Sequence, residues 1–379
     1  MQENNTHRRL KSKWKRAGIA FAAGTSLLFG AIYVNANAAT TTSGSSASES
    51  ASESADGSTA TTAASVGVSD VVDAANTFLN TLTSDQQSDV LLDFTQANAT
   101  AWSNLPCGST CRVGIELSSL SDEQLTAAKA VLKAAAGTGS DTGYDQITQI
   151  LKADDYLGET ASGYGSGNYY LAFLGTPSTS GTWQVHFGGH HLAFNLTYKD
   201  GEVEGSTPYF VGVEPTSWTD DDGTSYAPLS GMYDGMKAMV DSLSDDELTE
   251  AKLTDSFSDV LLGPDDDGDF PATKEGLKVS ELTDDQQALV LAAMKPWVDA
   301  ADDTTAASVL STYKSELDDT YISYSGSTDL SAQGDYVRID GPGVWIEFVC
   351  QDGVVYTSKI HYHTVYRDHT TDYGGEFSF

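Results

Sequence analysis

Between residues 68 and 379 the apolar positions follow two rhythms, one of helices and one of strands, and the order repeats. In four places a leucine precedes Ser or Thr, with Gln or Glu three residues after the hydroxyl: "LTSDQQ" at Leu82, "LSDEQL" at Leu120, "LSDDEL" at Leu243 and "LTDDQQ" at Leu282. Thr83/Gln86, Ser121/Gln124, Ser244/Glu247 and Thr283/Gln286 have the spacing of a capping box. In that motif the hydroxyl accepts from the N3 amide and the N3 side chain reaches back to the cap. The leucine before each cap suits a hydrophobic staple, so four helix starts are predicted.

Downstream of each pair the rhythm shortens to strand-like alternation. The first such stretch holds "NYYLAFLG", "WQVHFGGHHLAFNLTY" and "EVEGSTPYFVG"; the second holds "DYVRID", "GVWIEFVC" and "VVYTSKIHYHTVYR". Asp-Gly in "KDG" (Lys199–Gly201) and in "QDG" (Gln351–Gly353) predicts a hairpin in each. Thr83 and Ser121 are 38 positions apart, Ser244 and Thr283 are 39 apart, and the two pairs are offset by about 161. Capped helices followed by antiparallel strands, twice over, predict an α+β fold built from an internal duplication, with repeats over 68–235 and 236–379. The pattern does not say whether the halves form two lobes or share one sheet.

The first 67 residues change the picture. Arg8, Arg9, Lys11, Lys13, Lys15 and Arg16 precede the apolar run Ala17–Val34, and Ala36-Asn37-Ala38 offers a small-x-small cleavage site. Residues 1–38 therefore read as a secretory signal, with an uncleaved anchor as the alternative. Residues 39–67 are nearly all Ser, Thr, Ala and Gly and read as a disordered linker. The α+β domain then spans 68–379, and the expected location is secreted or in the cell envelope, with no membrane span after cleavage.

The whole chain carries a formal charge of −34. Residues 1–38 hold six of its Lys/Arg and one acid, leaving 14 basic against 53 acidic residues and a net of −39. Such a surface repels phosphate backbones and argues against nucleic acid as a partner. With so many acids, no glycosidase-type carboxylate pair can be singled out. "GPDDDGDF" at Gly263 fails as an EF-hand, because Lys274 falls where a bidentate Glu is required; it reads as an irregular calcium loop or an exposed turn. No Gly-x-Ser-x-Gly elbow, His-Glu-x-x-His helix or P-loop is present. Of three cysteines, Cys107 and Cys111 in "PCGSTC" are close enough to form a disulfide in an exported protein, and Cys350 reads as a buried free thiol.

Histidine carries the candidate chemistry. Six of the seven fall in "HFGGHHLAFN" (His186–Asn195) and "HYHTVYRDH" (His361–His369). If both runs are strands, parity places His191 and Asn195 on the polar face of the first, and His361 and His363 with Arg367 on that of the second. His-x-His on a strand points two imidazoles the same way, and a third from a neighbouring strand completes a three-histidine metal site with an open position. His191, His361 and His363 are the candidate ligands, for zinc or copper. His190, Asn195, Arg367 and Asp368 are candidates for a supporting or substrate-binding role. The competing reading is metal-free: histidines bonded within a polar layer, or used as acid and base, with Arg367 in an ion pair. Hydrolysis by metal-bound water and copper redox chemistry both fit the metal reading. A non-catalytic secreted or envelope module, binding an unidentified small molecule or none, fits the other.

"GTWQVHFGGHHLAFNLTY" and "KIHYHTVYRDHTTDYGGEF" resemble the bacterial family known as domain of unknown function 3500. That family shows a Trp-rich strand leading into Gly-His-His-Leu-x-x-Asn, then a late His-x-His-x-x-Trp-Arg-Asp followed by Asp-Phe-Gly. "NTFLNTLTSDQQSDVLLDF" and "WSNLP" at Trp102–Pro106 are similar to it too. By position the resemblance falls on Gly189, His190, His191, Leu192, Asn195, His361, His363, Arg367, Asp368 and Asp372. Tyr366 stands where the family has Trp and Tyr373 where it has Phe, and the "PCGSTC" loop is peculiar to this chain. The resemblance implies a map of motif residues and no reaction.

Overall fold

A computed structural model describes residues 67–379. The expected signal segment 1–38 and all but the last residue of the expected linker 39–67 lie outside the described residues. The first half of the rest runs α1 Val68–Thr81, α2 Ser84–Val90, β1 Leu91–Leu92, α3 Gln96–Ala99, β2 Ile115–Glu116, α4 Asp122–Ala135, α5 Gly143–Gly158, β3 Tyr170–Leu174, β4 Thr182–Gly189, β5 Leu192–Lys199, β6 Glu202–Gly205 and β7 Tyr209–Val213. After the small ribbon β8 Trp218–Thr219 and β9 Ser225–Tyr226 come α6 Ser230–Asp241, α7 Asp245–Ala251, β10 Leu277–Lys278, α8 Asp284–Val298 and α9 Asp303–Ser315. The chain closes with β11 Tyr321–Ser325, β12 Tyr336–Asp340, β13 Val344–Asp352 and β14 Ile360–Asp368.

The four capping boxes start α2, α4, α7 and α8, each with its Ser or Thr hydroxyl accepting from the N3 amide. They also lean on each other in two pairs: Gln124 Nε2 donates to Gln86 Oε1 at 2.9 Å, and Gln286 Nε2 to Glu247 Oε2 at 3.0 Å. These cap residues thus join helices distant in sequence as well as closing their own ends.

One shared sheet receives both β-rich segments, in the order β1-β3-β4-β5-β7-β14-β13-β12-β11-β10, with β2 on β3 and β6 on β5. It is antiparallel apart from the β1–β3 pair. The halves join where β7 meets β14, with His363 opposite Gly212 and Thr364 opposite Val211. Helices cover one face of the sheet. Tyr209 of β7 bonds Gln146 of α5, Trp297 of α8 bonds Thr364, Tyr313 of α9 bonds Tyr366, and Tyr233 of α6 stacks on Tyr362. The other face is covered by two largely irregular segments, around Trp102 and from Leu253 to Asp267. They pack on a smaller cluster with Ala193, Phe210, Tyr336, Val349 and Val365.

Two turn expectations fare differently. Asp200-Gly201 makes the tight β5–β6 turn, with both residues in the left-handed region (φ 50° and 87°). The Gln351-Asp352-Gly353 expectation needs correction: β13 continues to Asp352, opposite Ile360 of β14, and the connection spans 353–359. A long loop is sustainable there because the buried Glu214 carboxylate accepts from the Val355 and Tyr356 amides at 2.8 and 2.7 Å. Strand β11 has no counterpart among the stretches read from alternation. Its sequence, "YISYS", sits in a run of Ser and Tyr with no apolar residue but Ile322.

Candidate metal centre

The first histidine run corrects the strand reading. His190 and His191 lie between β4 and β5, at the tip of the hairpin, because Gly189 pairs with Leu192. The strand-parity argument for their side chains therefore does not apply. His191 has φ 62°, a left-handed conformation that costs most residues energy but is several-fold enriched for Asn, Asp and His. The glycines before the turn are there for space: a Cβ on Gly189 would stand 2.5 Å from the Tyr169 ring, and one on Gly188 would stand 2.6 Å from the Leu192 carbonyl. The Tyr169 hydroxyl in turn donates to the His190 carbonyl.

The second run is a strand. His361 and His363 share one face of β14, opposite Gln351 and Val349 of β13. Across β7, Gly212 lies opposite His363, and its amide donates to the His191 carbonyl at 2.8 Å. A Cβ on Gly212 would stand 2.9 Å from His363 Cδ2 and 3.0 Å from His191 Cδ2. The absent side chain is thus what lets imidazoles from hairpin and strand meet.

They meet closely. His363 Nε2 is 3.1 Å from His191 Nε2 and 3.3 Å from His361 Nε2, and the three offer ligand atoms within 4.8 Å of one another. Two nitrogens bound tetrahedrally at the length of a zinc–imidazole bond stand roughly 3.3 Å apart. His191, His361 and His363 are 5%, 1% and 6% exposed. Burial, with the neighbouring imidazoles adding repulsion, holds His191 well below the ordinary histidine range and His361 down to about 3. Both are therefore neutral near pH 7, the form in which an imidazole lone pair can bind a cation. This buried triad could hold a metal ion. Nothing in the geometry distinguishes zinc from copper.

The third ring is oriented from behind. His363 Nδ1 is 2.9 Å from Asp259 Oδ1 and 3.0 Å from the Gln351 amide nitrogen. A carboxylate only accepts, so donation to Asp259 takes the proton on Nδ1 and turns the Nε2 lone pair toward the other two rings, whereas the Gln351 amide nitrogen, which only donates, suits the other tautomer. Carboxylate–histidine pairs of this kind support metal sites generally. His361 Nδ1 is enclosed with no hydrogen-bond partner. His190 stacks on His191 (ring centroids 3.7 Å apart), and its Nδ1 is held by the buried Asp154 Oδ1 at 2.6 Å. It borders the triad as a neighbour, with Tyr164 against its other edge.

The remaining sequence candidates lie elsewhere. Asn195 donates to the Pro208 carbonyl at 2.8 Å, at the end of β7 away from Gly212. Arg367 is fully buried and makes four bonds: to Leu262 O, Gly263 O and Asp267 Oδ1 at 2.8 Å each, and to Asp372 Oδ2 at 3.1 Å. Asp372 and Asp267 more than offset the desolvation of that guanidinium, so its pKa is raised. Its ion-pair partners come from the second irregular segment and the C-terminus, and Asp368 is not among them. Asp368 points to the helical face, accepting from Tyr313 Oη at 2.7 Å and from the Thr370 and Thr371 amides at 2.8 and 2.9 Å. The "GPDDDGDF" loop turns Asp267 inward onto Arg367, and its neighbours form no candidate ion cluster among the described residues. Cys107 and Cys111 are joined (Cα–Cα 6.0 Å), and Cys350 is a buried free thiol whose pKa burial raises to about 12.

Sequence reasoning missed Gly212, Asp259, Gln351 and Asp154. Gly212 follows "YFV" as any strand-end glycine does, and the two acids are lost among many. Only their contacts with histidine separate them. The two departures from the family pattern are accommodated. The Tyr373 hydroxyl donates to Asp267 at 2.6 Å and accepts from Trp102 Nε1 at 2.8 Å, and the Tyr366 hydroxyl meets Tyr313 Oη at 2.7 Å.

No helix among the described residues is long and apolar enough to cross a membrane. No curated protein and no solved structure matches the chain. One family model does, over residues 64–375, which contain every histidine of the triad and all of the sheet. By that match the chain belongs to the family described as protein of unknown function (DUF3500).

Proposed function

We propose that this is an exported protein that binds one transition-metal ion, zinc or copper, through His191, His361 and His363, in a fold descended from a duplicated unit. The observation that carries the metal reading is that His363 Nε2 has two imidazole Nε2 atoms at hydrogen-bonding distance, 3.1 and 3.3 Å away. In the tautomer that donates from Nδ1 to Asp259, that nitrogen has a single lone pair. Metal-free, two N–H donors would compete for it in a buried site, where a poorly satisfied polar group costs roughly 1–3 kcal/mol. A cation satisfies all three lone pairs at once.

The second reading, a non-catalytic secreted or envelope module with metal-free histidines, draws on the same buried rings, whose nitrogens lie at hydrogen-bonding distance from one another. Duplication over 68–235 and 236–379 is supported by the palindromic strand order about the β7–β14 junction. It is also supported by the bonds Leu117 N to Tyr169 O and Val279 N to Thr320 O, which place a short 3-10 turn before α4 and before α8 in the same way. Export rests on residues 1–38 alone.

Elemental analysis of untagged protein recovered from the exported fraction tests the reading. Near-stoichiometric zinc or copper is expected, and its loss in His361→Ala/His363→Ala. Protein without metal that takes up neither ion on titration would sink it and leave the metal-free module.

A further inference from the structure

The triad's most strained member is held from outside by the segment Ser103–Arg112. The His191 amide donates to the Asn104 carbonyl at 3.3 Å. The carbonyls flanking it, Ser103 O and Leu105 O, both accept from Arg112 Nη2, at 2.7 and 2.6 Å. The other terminal nitrogen of the same guanidinium, Nη1, stands 3.4 Å from Cys107 Sγ and 3.5 Å from Cys111 Sγ. A five-residue disulfide loop, one buried arginine and one carbonyl thus form a continuous path to the backbone of a candidate ligand. That ligand sits at φ 62°, a conformation that persists only where its surroundings impose it.

The same geometry makes the bond reducible. Both cysteines are half-buried rather than enclosed, which leaves the bond open to approach by a small thiol. A fixed positive charge beside both sulfurs stabilises a thiolate, as attacking product and as leaving group, and so favours the reduced pair. The loop spans only four positions, so its closure restrains the unfolded chain little compared with longer loops. Its effect in the folded protein is local, on the turn that Arg112 and Asn104 share. Cys350, the third cysteine, is buried in β13 and takes no part.

We infer that the Cys107–Cys111 bond is a redox control on the metal site: closed, it holds Ser103–Leu105 against His191; opened, it releases that segment and weakens metal binding. The inference rests on the metal reading above. The step is a thiol–disulfide exchange with a dithiol. The protein's S–S bond breaks, the reductant's forms, two electrons pass to the protein, and the dithiol's two protons end on Cys107 and Cys111 or on solvent.

The test compares oxidised protein with the same protein reduced by dithiothreitol and freed of it under nitrogen. Zinc affinity is read by competition with a chromophoric chelator, and amide exchange is followed in the peptide covering 186–195. Cys107→Ser/Cys111→Ser removes the thiolates as alternative zinc ligands. The wild-type comparison needs no substitution, so it stands even if that variant folds poorly. At least tenfold weaker zinc binding and faster exchange at 186–195 are expected on reduction and in the variant. Zinc affinities within twofold, or exchange at 186–195 that ignores the disulfide, would overturn the control while leaving the metal site standing. No zinc uptake by the oxidised protein would overturn the metal reading and the control together.

Discussion

One face of β14 carries two buried polar clusters, four residues or about 13 Å apart, and they are built on opposite terms. At one end Arg367 is a permanent charge with every contact matched: two carboxylates, two carbonyls and the Trp102 ring 5.4 Å away. At the other end the imidazoles of His361 and His363 have His191 brought against them, and the Nε2 of His363 faces the other two Nε2 atoms at 3.1 and 3.3 Å. The first cluster is complete as it stands, as a buried charge must be, because desolvation without partners would cost several kcal/mol. The second is a cluster that a cation could complete. Burial alone therefore does not mark a binding site. Burial with an unmet bonding requirement does.

The comparison can be broken by substitution, and the largest effect is expected at the arginine. Arg367→Met leaves Asp267 and Asp372 buried without their partner and should cost about 3–5 kcal/mol of stability. Urea unfolding measures this, and the metal content of the folded fraction should be unchanged. A shift in midpoint worth less than 1 kcal/mol would mean the network relaxes at little cost.

Gly212→Ala acts on the other cluster. Its methyl would crowd both His191 and His363, costing about 1–3 kcal/mol by overpacking and displacing the two rings. Weaker zinc binding with far-UV circular dichroism retained is the expected result. Wild-type affinity would show that the rings meet without help from this glycine.

Asp259→Asn sharpens the assignment of roles. A neutral amide replaces the anionic acceptor behind His363, and metal affinity should fall about 10–100-fold with little change in the stability of the metal-free protein. Equal affinity, measured by the same chelator competition, would reduce Asp259 to a surface residue that happens to touch the ring.

Tyr373→Phe should do least. It restores the residue usual in the family and removes a hydroxyl linking Trp102 to Asp267, for a loss of about 1 kcal/mol. Thermal unfolding of the metal-free protein reads it, and no effect on zinc is expected. A change in zinc affinity here would show that the two clusters are coupled along β14.

How much of this was legible beforehand differs by element. Thr83, Ser121, Ser244 and Thr283 announce their helices because a cap is closed by residues three apart, whatever lies around them. His361 and His363 share a face by strand periodicity alone. His190 and His191 defeated the same argument: a His-His turn carries no Asn-Gly or Asp-Gly signal, and only the Gly189–Leu192 pairing shows where β4 stops. Arg367 read as an ion-pair member ahead of an anion-binding group, but with Asp368 or Asp372 as its partner; Asp267 lies 100 positions away in a loop that read as an exposed turn or an irregular calcium loop.

The sequence by itself determined the α+β class, the helix starts, the Asp200-Gly201 turn and the supply of three imidazoles in two short runs. Each of these is set by contacts within a few residues. Tertiary structure alone decided that β7 pairs with β14 and brings Gly212 between His191 and His363. It also decided that Asp259 stands behind one ring, and that the polar face of the sheet is sealed by two irregular segments. Those outcomes depend on which distant strands exclude water from one another. Sheet pairing and burial are collective properties of the folded chain, and no local spacing encodes them.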